Sequence, residues 1–206
     1  MNVSFEYSKT LAMEGSILLL LGLIPYVGWV LGIIGVILLL RAMKEFSNYY
    51  QDEEIYKRSL TGVKYYVVAL IAVGVSIVVF VLGIAITTGF TFTDNFVPTM
   101  GFGAALATFV GGLVVAFVFY LLATSHLRKA FTNLAEKSGE GSFATAGTLL
   151  WWGAIFTILF VGLLVILIGW IFAIVGFFTM KSRQLQQYNT QQNGNGYQPP
   201  TTQSNV

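Results

Sequence analysis

Cysteine is absent from this chain and histidine occurs once, as His126. The first absence excludes disulfides, thiolate metal sites and a cysteine nucleophile, while leaving the redox compartment open. A single histidine cannot build a metal site. No Ser/His/Asp or His/Glu arrangement offers a nucleophile with its base, so hydrolysis inside a membrane is not expected. Charge is scarce as well, at 10% of residues against about 25% in a soluble domain. The net charge of +2 is too small, and too little interleaved with aromatics, to suggest nucleic acid. From Tyr65 to Phe92 and from Asn95 to Ser125 no Asp, Glu, Lys, Arg or His appears. Coupled ion transport needs such groups at mid-depth, so it is disfavoured, although a pore lined by backbone carbonyls is not excluded.

Long apolar runs are abundant instead. Leu149 to Met180 carries no charge and no proline, and its only hydroxyls are Thr157 and Thr179. As one helix it would be about 48 Å long, against about 30 Å of bilayer hydrocarbon, so it is expected to fold back near Val161-Gly162. The same reading along the chain predicts spans at about 10–24, 29–43, 63–86, 100–124, 143–160 and 162–180. Pro25-Tyr26-Val27-Gly28 turns the chain between the first two, which are short and need tilt or local thinning of the bilayer. Lys44 to Thr61 reads as an interfacial polar loop, and Thr87 to Thr99, with Asp94, as a loop at the opposite end. Ser125 to Lys137 reads as a helical extension into water, ended by Ser138-Gly139-Glu140-Gly141-Ser142. Residues 184–206 are rich in Gln and Asn and read as a disordered tail. Glu14 interrupts the approach to the first apolar run, and no small-x-small site follows, so a cleaved signal peptide is not expected.

Charge placement sets the topology. With six spans, all eleven Lys and Arg residues fall on one side, from Lys9 and Arg41 to Lys181 and Arg183. The positive-inside rule puts that side, with both termini, in the cytoplasm of a cell-membrane protein. A four-span alternative would split the basic residues between sides. Re-entrant helix pairs that do not cross would keep the same charge sides. The expected fold is therefore all-α: a polytopic transmembrane helical bundle of six spans, with two similar helical hairpins flanking a central helix pair.

The two hairpins resemble each other. Ala12-Met13-Glu14-Gly15 matches Ala144-Thr145-Ala146-Gly147, Val27-Gly28 matches Val161-Gly162, Gly32 matches Gly169, and Met43-Lys44 matches Met180-Lys181. Three stretches carry a further likeness: Ser47-Asn48-Tyr49-Tyr50-Gln51-Asp52-Glu53-Glu54-Ile55-Tyr56, the Ile24-Pro25-Tyr26-Val27-Gly28 turn, and the stretch from Leu127-Arg128-Lys129-Ala130-Phe131 to Gly147. Over about residues 9–182 the chain resembles the mainly archaeal membrane proteins grouped as domain of unknown function 996. The resemblance implies a small integral membrane protein of archaeal type. It brings no activity, cofactor or catalytic residue with it.

Candidate sites are few. Glu14 and Arg41 are predicted at similar depth on antiparallel spans, where they would form an ion pair or, functionally, a proton or cation site. Three small-residue faces stand out: Gly28, Gly32 and Gly35; Gly103, Ala107 and Gly111; Gly162, Gly169 and Gly176. Such faces let helix backbones approach closely, within one chain or against a second subunit or lipid tail. Trp29 reads as a membrane-belt residue, and Trp151, Trp152 and Trp170 as lipid-facing or gap-filling. No cofactor or metal is implied. The expected partners are the lipid bilayer and a second copy or another membrane protein. The expected role is non-enzymatic, that of an accessory, structural or lipid-organising component. The alternative is a passive transporter or channel for a small neutral or apolar solute, its cavity lined by Ser76, Thr108, Tyr120 or Thr124.

Overall fold

The computed structural model describes residues 5–22, 24, 28–88 and 100–181. The Pro25 turn, the Asp94 loop, Arg183, the tail and the Trp29 side chain lie outside the described residues. Six α-helices and no strand occur among those described: α1 (Phe5–Leu21), α2 (Gly28–Tyr50), α3 (Glu53–Thr88), α4 (Met100–Ser138), α5 (Ser142–Phe156) and α6 (Val161–Thr179), with a 3-10 turn at Thr157–Leu159 before α6. Four stretches are long and apolar enough to cross a membrane: Glu53–Ile86, Phe102–Ser138, Ser142–Leu159 and Val161–Thr179. The chain is a membrane protein. The expectation of six spans is met only to this extent. At 17 residues α1 is too short, and α2 carries Arg41, Lys44 and Glu45 in its second half.

The polar loop expected from Lys44 to Thr61 is almost entirely helical. α2 continues to Tyr50, and α3 begins at Glu53. The break between them is made by local hydrogen bonds. Gln51 adopts φ 55°, the Gln51 amide donates to the Asn48 carbonyl and the Asp52 amide to the Ser47 carbonyl, which is the left-handed cap that ends many helices. Asp52 then opens α3, its carboxylate accepting the Glu54 amide at 3.0 Å. The tyrosines and acids that suggested a loop therefore coat two helix ends. Between α4 and α5 the break falls where the glycines and serines place it. Gly139 takes φ 72° and donates to the Ala135 carbonyl.

The helices pack as consecutive antiparallel pairs: α1 with α2, α3 with α4, α5 with α6. The α3–α4 pair lies between the other two in sequence. In space α1 also packs on α6, so the outer pairs touch each other directly, while α2 meets α3 and α4 meets α5. One aromatic layer joins five of the six helices. Phe5 faces Phe46 at 6.2 Å between ring centroids, Phe46 stacks on Phe177 at 5.9 Å, and Phe177 meets Phe143 at 4.7 Å and Phe131 at 6.4 Å. Ile55 and Leu134 complete this core, which is closed to solvent. It gathers the N-terminal end of α1, the C-terminal end of α2, the start of α3, the C-terminal part of α4, the start of α5 and the end of α6. Ten of the eleven basic residues belong to described segments, and all lie toward this end, the eleventh being Arg183.

Candidate functional site

The small-residue faces do not share one role. On α2 and α6 they are inward and serve their own pair. A methyl group on Gly35 would stand 2.8 Å from the Gly15 carbonyl oxygen and the Leu19 amide nitrogen, and one on Gly28 would overlap the Gly22 carbonyl. One on Gly169 would crowd Leu150 at 3.1 Å, and one on Gly176 would press on Phe143 at 2.8 Å. At Gly162 it would collide with the Gly153 carbonyl and the Thr157 amide. Gly35 and Gly169 each follow a glycine by seven residues, Gly28 and Gly162, and both pack tightly on their partner helix, so by spacing Gly35, rather than Gly32, corresponds to Gly169. Gly32 is the looser member of its face, since a methyl group there would come no nearer than 3.9 Å, to the Gly22 backbone.

On α4 the outcome is different. Gly103, Ala107 and Gly111 are exposed, and a methyl group on Gly103 or Gly111 meets nothing within 4 Å. The face that holds α4 to α3 is the neighbouring one: Ala105, Gly112, Ala116 and Ala123. It meets Gly62, Ala69, Ser76 and Gly83, which recur every seven residues along α3. Gly112 lies directly on the Ser76 side chain, Gly83 on the Ala105 methyl, and Gly62 on the Ala123 carbonyl. Sequence reading missed this seam, although its period of seven was visible from Gly62 to Gly83 and is the pattern two helices use to stay in register. An aromatic ladder flanks it, with Phe80 stacked on Phe109 at 4.8 Å and Tyr65 6.1 Å from Phe119.

Glu14 and Arg41 are both exposed and do not form an ion pair. The contact between α1 and α2 is made instead by Gly15, Gly35 and Leu39. The pair that ties two connections together is elsewhere: Lys137 reaches Asp52 at 3.5 Å, joining the end of α4 to the start of α3. Glu53–Lys57 (2.7 Å) and Glu54–Arg58 (2.9 Å) are one-turn pairs on the exposed face of α3. Glu140, in the connection before α5, accepts the Ser142 hydroxyl at 2.8 Å. Partial burial pushes its carboxyl up, but the Ser142 hydroxyl, the Thr179 hydroxyl, the Ser142 amide and Lys181 together hold it below the usual carboxylate range.

His126 packs its ring 5.5 Å from Tyr65 at the base of the α3–α4 seam. Among the described residues no group of three His, Cys, Asp or Glu is placed to hold a metal ion. Trp151 takes the Arg128 guanidinium over its face at 5.2 Å, Trp170 meets Phe131 edge-on at 6.3 Å, and Trp152 faces outward. The hydroxyls named as cavity-lining bond to their own helices: Ser76 to the Ala72 carbonyl at 2.6 Å, Thr108 to Ala104 at 2.9 Å and Thr124 to Tyr120 at 3.1 Å. Thr108 is also exposed on the outside of α4.

Comparisons with known proteins agree with this picture of a membrane protein without assigned chemistry. An archaeal protein of Methanocaldococcus jannaschii, "Uncharacterized protein MJ1644", is 29% identical over 168 residues, which is 81% of this chain and 89% of that one. No solved structure matches. The family described as "Protein of unknown function (DUF996)" matches residues 31–171, well over half of the chain. The chain belongs to that family.

Proposed function

We propose that this is a multi-pass protein of the cell membrane with its charged end in the cytoplasm. In this reading it acts without chemistry of its own, by packing exposed helix faces against a second copy, another membrane protein or lipid. The orientation rests on the clustering of basic residues at one end, which the positive-inside rule assigns to the cytoplasm. The role rests on a single observation: the Gly103–Ala107–Gly111 face of α4 is open, while the glycine faces of α2 and α6 are packed against their own partner helices. In lipid, small residues that let backbones approach closely are a principal source of helix–helix affinity. The passive-transporter reading has no comparable support, because Ser76, Thr108 and Thr124 direct their hydroxyl hydrogens to their own backbone.

The cysteine-free sequence makes the test direct. Single substitutions Gly103→Cys and Ala107→Cys, oxidised in native membranes, are expected to yield disulfide-linked dimers or a mixed product with one membrane protein. Gly112→Cys, inside the seam, is expected to yield neither. A chain that stays monomeric and co-purifies with no protein or lipid overturns the reading.

A further inference from the structure

The geometry points to a membrane-shaping activity: α3 and α4 alone cross the bilayer, and the α1–α2 and α5–α6 pairs are wedges that end inside it, on the charged side. This deepens the proposed function and rests on its membrane orientation. The measure is the aromatic layer, which fixes five helices at a common level. From Phe46 to the start of α2 at Gly28 is about 27 Å along the helix, at 1.5 Å per residue. From Phe5 to the end of α1, and from Phe177 to the start of α6, it is about 24 Å. From Phe131 to the start of α4 it is about 46 Å. The outer pairs therefore stop roughly 20 Å short of the far end of α4.

Charge sets where hydrocarbon begins on this scale. Arg128 lies one turn beyond the layer on α4, and Arg41 about 8 Å beyond it on α2. That leaves the outer pairs roughly 20 Å of reach into a hydrocarbon layer of about 30 Å. Keeping the exposed Glu14 at water shortens the reach further. Sliding the molecule until the tips cross would pull Arg128, Lys129 and Arg41 about 10 Å into lipid. It would also push the apolar far end of α4, where Leu106 and Val110 face outward, into water. Length alone would let α5, with its 3-10 turn, and α6 cross. Their attachment to α4, so close that a methyl group on Gly147 would stand 3.1 Å from the Arg128 backbone, holds them back.

The tips carry the second, independent observation. Ile158, Leu159, Phe160 and Val161 form the turn of the third pair, and Phe160 is 81% exposed. It also adopts φ 57°, a conformation that a turn in water would give to Gly or Asn. A bare phenylalanine there is stable when its surroundings are acyl chains. The sequence joining α1 to α2, Leu23-Ile24-Pro25-Tyr26-Val27, holds no charge either, whereas the sequence joining α3 to α4 contains Thr91, Thr93, Asp94 and Asn95. Two apolar connecting sequences and one polar one match two connections in lipid and one in water.

The consequence is mechanical. Six helices occupy the charged-side leaflet and two occupy the other. At about 10 Å per helix diameter the excess is roughly 300 Å². A protein of that taper favours membranes whose charged-side leaflet is convex, and drives that curvature when concentrated.

Two experiments test this. Single variants Phe160→Cys, Leu159→Cys, Asp94→Cys and Gln51→Cys of the full chain, in sealed oriented vesicles, are treated with a membrane-impermeant maleimide. The expected result is labelling of Asp94→Cys from one side, Gln51→Cys from the other, and the two tip variants from neither, although a lipid-soluble maleimide reaches them. Tip labelling from the Asp94 side overturns the wedge and leaves the orientation standing. Labelling of Asp94→Cys and Gln51→Cys from the same side overturns the orientation and the wedge together. For the shaping activity, the full chain is reconstituted in giant vesicles of phosphatidylcholine and phosphatidylglycerol from which thin tubes are drawn. Enrichment of several-fold on tubes whose outer leaflet holds the charged end is expected. Equal density on tube and vesicle overturns it.

Discussion

The α3–α4 pair and the two outer pairs are built from the same small-residue device but are held by different forces. Along α3 and α4 the buried positions are small, chiefly Ala69, Ser76, Ala105, Ala116 and Ala123, and the large residues face outward. Lipid supplies no hydrophobic drive between helices, so such a pair gains from close backbone approach and dispersion. At the charged end the buried positions are large: Phe46, Phe131, Phe143, Phe177, Met43, Ile55 and Leu134, all fully enclosed. That layer stands beside Asp52, Lys57 and Lys137, where water is the alternative solvent. Burial there is worth about 1.5–3 kcal/mol per large side chain. One molecule thus uses membrane packing in one half and soluble-protein packing in the other. The second kind clamps the outer pairs to α4.

The largest effect is expected from removing the clearance in an outer pair. Gly162→Val would drive a side chain into the Gly153 carbonyl and the Thr157 amide, and neither can yield without unwinding a helix. Overpacking of this kind costs about 1–3 kcal/mol in a core that relaxes, and more where backbone is struck. Loss of the monodisperse peak in detergent, by fluorescence-detected size exclusion, is the expected reading. Near-wild-type elution and thermal stability would show that the turn is looser than its geometry.

A sharper division is available between two adjacent residues. Gly112→Ile places a branched side chain on Ser76 and should lower thermal stability by an amount equivalent to about 2 kcal/mol. Gly111→Ile meets open space and should leave stability unchanged while abolishing the crosslink through Gly103→Cys. Equal destabilisation by both would mean that the open face is filled in the membrane by the chain itself.

These contrasts also mark what could be read before the fold was known. Apolar run lengths gave the helical class and the four helices fit to cross a membrane, while the two further spans expected near the N-terminus are helices that are too short or too charged. The family likeness came from the Ser47–Tyr56, Ile24–Gly28 and Leu127–Gly147 stretches. The turn at Val161-Gly162 follows from length alone, and the helix break falls at Thr157–Phe160, directly before it. The rim was harder to read. Tyr49, Tyr50, Asp52 and Glu53 look like a loop by composition, but a left-handed Gln51 and the Asp52 cap confine the break to two residues. Choosing among the small-residue faces of α4 needed the partner helix, since the faces of Gly103 and of Ala105 are both made of small residues. Only the register with α3 says which one is used. Depth was illegible for the same reason. The α5 and α6 runs are apolar and long enough to cross, and the phenylalanines that tie them to the charged end lie far apart in sequence.

A smaller effect is expected where the two connections meet. Asp52→Ala removes the cap of α3 and the partner of Lys137. Cap loss costs about 1 kcal/mol, and a partly exposed ion pair adds less than that. The lowered melting temperature should be largely insensitive to salt if the cap dominates. A shift that disappears in high salt would transfer the weight to the Lys137 pair.

The smallest expected effect concerns pH, and it separates the charged end from the apolar one. Glu140 is held below its reference value of 4.5 by Ser142, Thr179 and Lys181, against the upward push of burial. A carboxyl depressed in the folded state contributes stability that is fully present above the unfolded value and is lost as pH falls through the folded one. The difference in melting temperature between wild type and Glu140→Gln should therefore be constant from pH 7 to about 5 and should close on acidification below about 4.5. The effect is modest, because the carboxylate stands largely in water and its partners are screened. It is local as well, since the α3–α4 seam has no carboxylate to protonate between Lys64 and Thr88 on α3 or between Met100 and Ser125 on α4. Acid should loosen the junction of α4, α5 and the end of α6 first. Hydrogen exchange at pH 4 is then expected to rise at Ser142–Thr145 and to stay low at Ala69–Ser76. Uniform loosening would mean that the two halves unfold as one unit and that the clamp at the charged end also holds the crossing pair.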